Sequence, residues 1–236
     1  MVEPVYLSVI TPAYLEEENL RILLPRIKNV LSQLSFGSEI IVIDSQKKLD
    51  CTDSACQENQ VRYFRREGGE NFGDAVRTGI RVARGKYMLF MDADGSHPPE
   101  FIRELVAHHL ENDIVIASRY VSGGLTENPV HLIWMSQALN ITYGLILGIK
   151  VNDISNSFKL YRSDLLKNLN LSCKNFDIIE EILFKISRAN PNLKIKEVPF
   201  SFKKRMFGET KRNLVLFVIT FIFTIFKLRF SKQKNQ

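Results

Sequence analysis

At 236 residues, 45% hydrophobic and 25% charged, the chain is long enough to bury the core of one larger α/β domain, and its composition excludes disorder and collagen-like repeats. Its three cysteines are odd in number, and Cys51 and Cys56 stand at a spacing no common zinc module uses, so a disulfide scaffold is excluded and reduced cytosolic thiols are expected. The net charge of +6 is uneven: from Lys203 onward nine Lys/Arg face a single acid, Glu209, which leaves residues 1–202 at −2, a balance that excludes a nucleic-acid groove and favours phosphate or anionic lipid as partner.

The amino terminus carries Glu3 and Pro4 and no basic, signal-length apolar stretch, so a cytoplasmic location is expected. Val/Ile-rich runs then alternate with amphipathic segments: LSVITP, LRILLPRIKNVLSQL, EIIVID, TDSACQEN, VRYF, GDAVRTGIRVARG and KYMLFMDAD. This β-α-β-α rhythm predicts a mostly parallel sheet covered on both faces. Pro98 and Pro99 predict a helix capped by Ser96 or His97 and running through Phe101, Leu105 and Leu110. Asp113 to Ser118 reads as a buried strand, His131 to Leu147 as an apolar helix, Ile178 to Arg188 as an amphipathic one, and Lys194 to Phe202 as strand. Ala75 and Gly79, four apart, predict close packing of one helix face. His108 and His109 point apart on a helix and read as structural. The composition shifts at Asn213, so residues 1–212 are expected to form one domain and 213–236 a separate apolar and basic helix.

Ligands of such sheets bind outside the carboxyl ends of the strands. Three polar groups fall there: Thr11, Pro12, Tyr14 and Glu16 after the first strand, Asp44 after the second, and Asp92 and Asp94 after YMLFM. Any one of them alone is equally explained as a helix cap. Asp92 and Asp94 crowd two carboxylates at one strand end, where they repel unless a cation compensates. Mg²⁺ or Mn²⁺, which takes one or two carboxylates plus substrate phosphate oxygens, is the expected cofactor.

SVITPAYLEEENL, EIIVIDS with Asp50-Cys51-Thr52, GDAVRTG, MDADGSHPPEFI, ASRYVSGG, DISNSFKLYR, FDIIEEIL and FKKRMFGETK resemble, in order, the motifs of the family 2 glycosyltransferases with the GT-A fold. The likeness is greatest to the branch of dolichol-phosphate and polyprenyl-phosphate glycosyltransferases. The resemblance implies a GT-A, Rossmann-like mixed sheet with helices on both faces. It implies nucleoside contacts at Pro12, Tyr14, Glu16 and Asp44, with Asp74 nearby. It further implies that Asp92 and Asp94 hold metal and donor diphosphate, with Ser96 as a weaker third ligand, and that Arg119, Arg205 and Lys211 are phosphate-facing cations. The implied activity is inverting transfer of a hexose from a nucleoside-diphosphate sugar, GDP-mannose-like or a UDP-sugar, to a polyprenyl or dolichyl phosphate.

The chain departs from the family at Ser45-Gln46-Lys47 after Asp44, at Leu15, at Gln137 beside Ser136 on the acceptor side, and at Ser157 and Lys159, which replace the Gly and Arg of the family's Gly-Phe-Arg. A sugar-hydroxyl acceptor requires a carboxylate base instead, for which Asp177, Glu180 and Glu181 are the candidates. A degenerate transferase acting as a membrane-associated nucleotide-sugar-binding protein is a further alternative. Asp92-Ala93-Asp94-Gly95-Ser96 also resembles the nucleophile motif of haloacid dehalogenase-type phosphatases, but the late acidic pair of that class is missing. No Gln-x-x-Arg-Trp string is present, so a single transfer is expected rather than processive synthesis.

Leu214 to Phe226 is thirteen residues without a charge, followed by Lys227, Arg229, Lys232 and Lys234. As a helix it is about 20 Å long against the roughly 30 Å of the hydrocarbon core, so it is expected to lie in the cytoplasmic interface rather than span. The competing expectation is a core helix, or one that contacts a second copy or a membrane partner through 213–230.

Overall fold

The computed structural model of the chain describes residues 4–208 and 214–230. The parallel half of the sheet holds β1 (Leu7–Pro12), β2 (Ser38–Asp44), β3 (Arg62–Arg65) and β4 (Tyr87–Phe90), in the order β3-β2-β1-β4. β1 and β4 are covered on both faces, which is why they read as continuous apolar runs rather than alternating ones. β1 sends Ile10 into one hydrophobic layer and Leu7 and Val9 into the other, following the two-residue period of a strand. The crossovers are α1 (Glu17–Leu31), α2 (Thr52–Glu58) and α3 (Phe72–Val82). α1 buries Leu20, Leu23, Leu24, Ile27 and Val30 as one stripe. α3 opens on a capping box between Asn71 and Asp74.

Beyond β4 the sheet becomes mixed. β5 (Ile114–Ser118) and β7 (Lys159–Arg162) pair antiparallel, β7 is also antiparallel to β4, and β8 (Ile195–Pro199) runs parallel to β5. The full order is β3-β2-β1-β4-β7-β5-β8, and a separate two-stranded sheet joins β6 (Leu125–Thr126) to β9 (Ser201–Phe202). The expected single strand over 194–202 is therefore two, because the chain leaves one sheet at Phe200 and enters the other. The expected helix after Pro98-Pro99 is a 3-10 turn, Pro99–Phe101, followed by a short α4, Ile102–Ala107. It stops before Leu110, which is exposed. Neither Ser96 nor His97 caps it; Pro98 stands at the cap position, and both side chains are used by the Asp92 to Asp94 segment.

Four helices cover the rest: α5 (Val130–Leu147), α6 (Ser163–Lys167), α7 (Ile178–Ala189) and α8 (Leu214–Phe230). α8 packs on α5 and α7. Phe221, Ile225 and Leu228 join the hydrophobic layer that also contains Tyr143 and Ile182, with the Tyr143 and Phe221 rings edge to face at 4.5 Å. Phe223, Phe226 and Phe230 are exposed. α5 likewise leaves Trp134, Ile141 and Leu145 exposed. Among the described residues it is the helix long and apolar enough to cross a membrane by length and composition.

Two glycines show how tightly α3 is seated. A Cβ on Gly79 meets Ile10 Cγ2 at 2.5 Å, whereas one on Gly73 meets the carbonyl oxygens of Cys173 and Lys174 at 2.4 and 2.7 Å. Backbone cannot step aside as a side chain can. Gly73→Ala is therefore expected to destabilise the protein by about 1–3 kcal/mol. Gly79→Ala is expected to cost less, since its close contact is one side-chain methyl rather than two main-chain carbonyls and helix propensity returns roughly 1 kcal/mol. Urea unfolding of the two variants checks the order; a Gly73→Ala protein as stable as wild type contradicts it.

Candidate active site

The carboxyl ends of β1 and β4 open into a cleft of about 510 Å³, completed by the start of α5, the turn before β7 and the segment after β9. Pro12, Tyr14, Glu16, Asp92, Asp94, Arg119, Ser136 and Arg205 all line it. The order of these residues along the sequence gives no hint of this convergence; the sheet order creates it.

Asp92 and Asp94 follow β4. Ser96 donates its hydroxyl to Asp94 Oδ1 at 2.6 Å and its backbone N–H to the same oxygen at 3.0 Å, so it orients Asp94 and does not line the cleft. Gly95 between them has φ +84°, and a Cβ there meets Met206 Cγ at 2.5 Å. Only glycine combines that backbone with so close an approach. The approaching segment, 203–208, is strapped down by main-chain bonds: Lys203 N–H to Ser96 O at 3.1 Å and Met206 N–H to Asp94 O at 2.8 Å. Asn19 of α1 holds Phe207 through both its amide atoms and also donates to Glu16 Oε2 at 2.6 Å. Arg205 thereby reaches Glu16 Oε1, which its Nη2 contacts directly, and stands 3.6 Å from Asp94 Oδ2. Lys211 lies outside the described residues.

Across the cleft Arg119, at the end of β5, is nearly buried. Its Nε and Nη2 donate to Asp153 Oδ2 and Oδ1 at 2.8 and 2.7 Å, and Nη2 also reaches Ser155 Oγ at 3.0 Å and Ser136 Oγ at 3.5 Å. Burial opposes the charge, but Asp153 outweighs it and pushes the guanidinium pKa up. Lys159 is buried behind this pair, donating to Ile154 O at 2.6 Å. Burial lowers its ammonium to about 8, against the pull of Asp153 and Glu180.

Other predicted residues stand behind or beside the cleft. Asp44 is buried, accepting from Ser45 N–H at 2.7 Å and from the Tyr63 hydroxyl at 3.1 Å; burial pushes its carboxyl up despite these bonds. Asp74 caps α3 and pairs with Arg77 at 2.6 Å. Burial alone raises its carboxyl, but Arg77 and Asn71 hold it below the ordinary range. Glu181 accepts from Ser172 N–H and hydroxyl, from Cys173 N–H at 2.7 Å and from Lys185 at 2.7 Å. Both its oxygens are engaged in the protein interior, and Glu181 does not line the cleft. Asp177 accepts from Asn175 N–H at 2.9 Å and from the Thr224 hydroxyl of α8 at 2.6 Å. Its neighbours Asn175 and Phe176 line the cleft, and Phe176 stacks on Phe72 at 4.3 Å.

Sequence reasoning missed Arg66, a buried guanidinium on the cleft wall. It donates to Ala13 O, to Asp44 O at 3.2 Å and to Glu70 O at 2.9 Å, and lies 5.9 Å from the Tyr14 ring centre. Burial lowers its pKa. The available signal was its place just past VRYF, at the same strand edge as Asp44. Also missed were Asp153 and His97. The fully buried His97 ring stacks on Phe158 at 4.6 Å and accepts the Asp92 N–H at Nδ1, 3.0 Å away.

The chain matches the family model described as glycosyl transferase family 2 over residues 8–169. It is 38% identical over 213 residues to the dolichol-phosphate mannosyltransferase of Pyrococcus furiosus, covering 86% of this chain but 58% of that protein. It is 30% identical to the undecaprenyl-phosphate mannosyltransferase of Micrococcus luteus, with 86% of each covered, and 30% identical to the polyprenol monophosphomannose synthase of Mycolicibacterium smegmatis, covering 87% and 80%. Glucosyl-3-phosphoglycerate synthase from Mycobacterium tuberculosis, solved with Mn²⁺, UDP and phosphoglyceric acid, shares the fold at a TM-score of 0.73 and 18% identity, over 98% of this chain and 80% of that one. A crystal of the same enzyme holds Mg²⁺ and UDP, with a TM-score of 0.74 at 17% identity over 98% and 81%. The mixed sheet, the acidic pair at the end of its fourth strand and the family match together place the chain in glycosyl transferase family 2.

Proposed function

We propose that this glycosyltransferase moves a hexose from a nucleoside-diphosphate sugar to a polyprenyl phosphate at the cytoplasmic membrane surface. The observation that carries the reading is the division of one cleft into two charged walls, Asp92 and Asp94 with Arg205 on one side and Arg119 with Ser136 and Ser155 on the other. The first suits a donor diphosphate and the second an acceptor phosphate. Relatives named for dolichyl, undecaprenyl and polyprenol phosphates support the acceptor class.

Asp92 and Asp94 are the residues that would hold Mg²⁺ or Mn²⁺. Among the described residues no cluster of three or more His, Cys, Asp or Glu side chains forms a cage. The donor set fits the metal all the same, since Mg²⁺ and Mn²⁺ are commonly bound by one or two carboxylates together with substrate phosphates. The ion would supply Lewis-acid neutralisation of the diphosphate. Arg205 faces the same carboxylates and is placed to stabilise charge on the departing diphosphate. Pro12, Tyr14, Glu16 and Arg66 border the nucleoside end, with Asp44 buried behind it.

An acceptor phosphate oxygen attacks C1 as the bond from C1 to the diphosphate oxygen breaks, which inverts C1. The acceptor is already an anion near neutral pH, its second pKa being about 6, so no general base is needed. The geometry of Asp177 and Glu181 supports this over transfer to a sugar hydroxyl, because their carboxylates are hydrogen-bonded away from the cleft. Arg119 orients the phosphate through the guanidinium that Asp153 and Ser155 hold still.

α5 and α8 carry the membrane contact. Their exposed Trp134, Phe223, Phe226 and Phe230, with Lys227 and Arg229 beside them, suit an anionic lipid surface. The same face would otherwise pack on a second copy or a membrane partner.

Asp92→Asn and Asp94→Asn are expected to lower transfer by about 10²-fold or more and to abolish metal-dependent nucleotide binding, with melting unchanged. Nucleotide binding that ignores chelator in wild type, or full activity in both variants, removes the metal assignment.

Deleting α8 opens the core at Phe221, Ile225 and Leu228, so the membrane reading is tested with the outward residues instead. Replacing Phe223, Phe226 and Phe230 together by Ser is expected to weaken sedimentation with phosphatidylglycerol vesicles by on the order of tenfold or more, while nucleotide binding persists. Unchanged vesicle binding, or a wild-type protein that never sediments, refutes the membrane contact; loss of a dimer in the variant assigns the face to a second copy.

A further inference from the structure

One turn of chain touches both walls of the cleft. Between Asp153 and Lys159 the sequence Ser155-Asn156-Ser157 presents alternate side chains to different partners. Ser155 Oγ accepts from Arg119 Nη2 at 3.0 Å. Two residues on, the Ser157 hydroxyl donates to Asp92 Oδ1 at 2.8 Å. The residue between them is buried and fixed, since Asn156 Nδ2 donates to Ala117 O at 2.6 Å and its backbone N–H donates to Asp153 Oδ1 at 3.2 Å. Lys159 closes the turn from beneath through its bond to Ile154 O.

The next residue extends the hold on Asp92. Phe158 is the face on which His97 stacks, and His97 Nδ1 takes the Asp92 N–H. A neutral ring that accepts at Nδ1 carries its proton on Nε2, which stands 3.8 Å from Asp92 Oδ2. The main chain of Asp92 is thus held by His97 and its Oδ1 by Ser157, while Oδ2 lies beyond hydrogen-bond reach of His97 Nε2. A glycine at 157 supplies no hydroxyl and leaves Oδ1 without this donor.

The geometry points to Ser155-Asn156-Ser157 as a positioning bridge that fixes the Asp92 carboxylate and the Arg119 guanidinium in one mutual geometry, Ser157 acting on the first and Ser155 on the second. Groups that orient a metal-binding carboxylate commonly change metal affinity by 10–100-fold. The bridge rests on the reading of Asp92 as a metal ligand and Arg119 as an acceptor contact. It adds that Ser157 tunes the metal carboxylate directly.

The test uses the full chain with Mn²⁺ and GDP or UDP, reading free Mn²⁺ by electron paramagnetic resonance, and a short polyprenyl phosphate for steady-state kinetics. Ser157→Ala and Ser157→Gly are expected to weaken Mn²⁺ binding about tenfold with thermal unfolding unchanged. Ser157→Thr, which keeps the hydroxyl, restores it. Ser155→Ala is expected to raise the acceptor KM several-fold and leave Mn²⁺ affinity alone. Either serine variant holding its own readout at the wild-type value overturns the bridge. Asp92→Asn separates the two levels: if it loses Mn²⁺ while Ser157→Ala does not, the bridge fails and the metal assignment stands, and if it binds Mn²⁺ normally, both fall.

Discussion

The ion pair between Arg119 and Asp153 ties the end of β5 to the turn before β7 and fixes one wall of the cleft. Both side chains are buried, and an unpaired charge left in such a place costs about 3–5 kcal/mol. Asp153 answers this with bonds to the Arg119 side chain, the Arg119 main chain and the Asn156 main chain. Its own N–H is anchored on Glu197 of β8, which also takes the Ser118 hydroxyl of β5. The strand ends, the turn before β7 and the Arg119 wall of the cleft are therefore one hydrogen-bonded unit, and the direction of the Arg119 guanidinium is a property of the sheet edge.

The opposite wall is governed by repulsion among Glu16, Asp92 and Asp94. Three carboxylates around one cavity require positive charge nearby, and Arg205 provides it from a segment far away in sequence. The main-chain bonds that lay this segment over Gly95 and Asp94 put the cation where the acids converge. Arg66 stands on the cleft wall near Asp44 and Glu70, with its guanidinium held by carbonyl oxygens rather than by a carboxylate.

What was legible in the sequence follows from range. The buried strands announced themselves because Val9, Ile10, Ile41 and Leu89 lie in continuous apolar runs, and Asp92 and Asp94 because two acids at a strand end are a local anomaly. The ordered motifs carried the family. Hidden from such reading was everything set by distant pairing. KLYR was legible as a motif but not as an antiparallel strand, since nothing local tells which neighbours it takes. Glu181 and Asp177 looked like free acids on a helix, and only the fold brings Ser172, Cys173 and Thr224 to them. Ser157 stood out as a departure from a motif, but its partner Asp92 is 65 residues away. The apolar run at 214–226 leaves open whether it meets a membrane or packs on protein, and the fold buries Phe221 while leaving Phe223 exposed.

The hydrogen bond from Thr224 to Asp177 joins α8 to the segment that leads into α7. Asp177 shares that segment with Asn175 and Phe176 on the rim of the cleft, so α8 is tied to the aperture by a side-chain bond as well as by the packing of Phe221, Ile225 and Leu228.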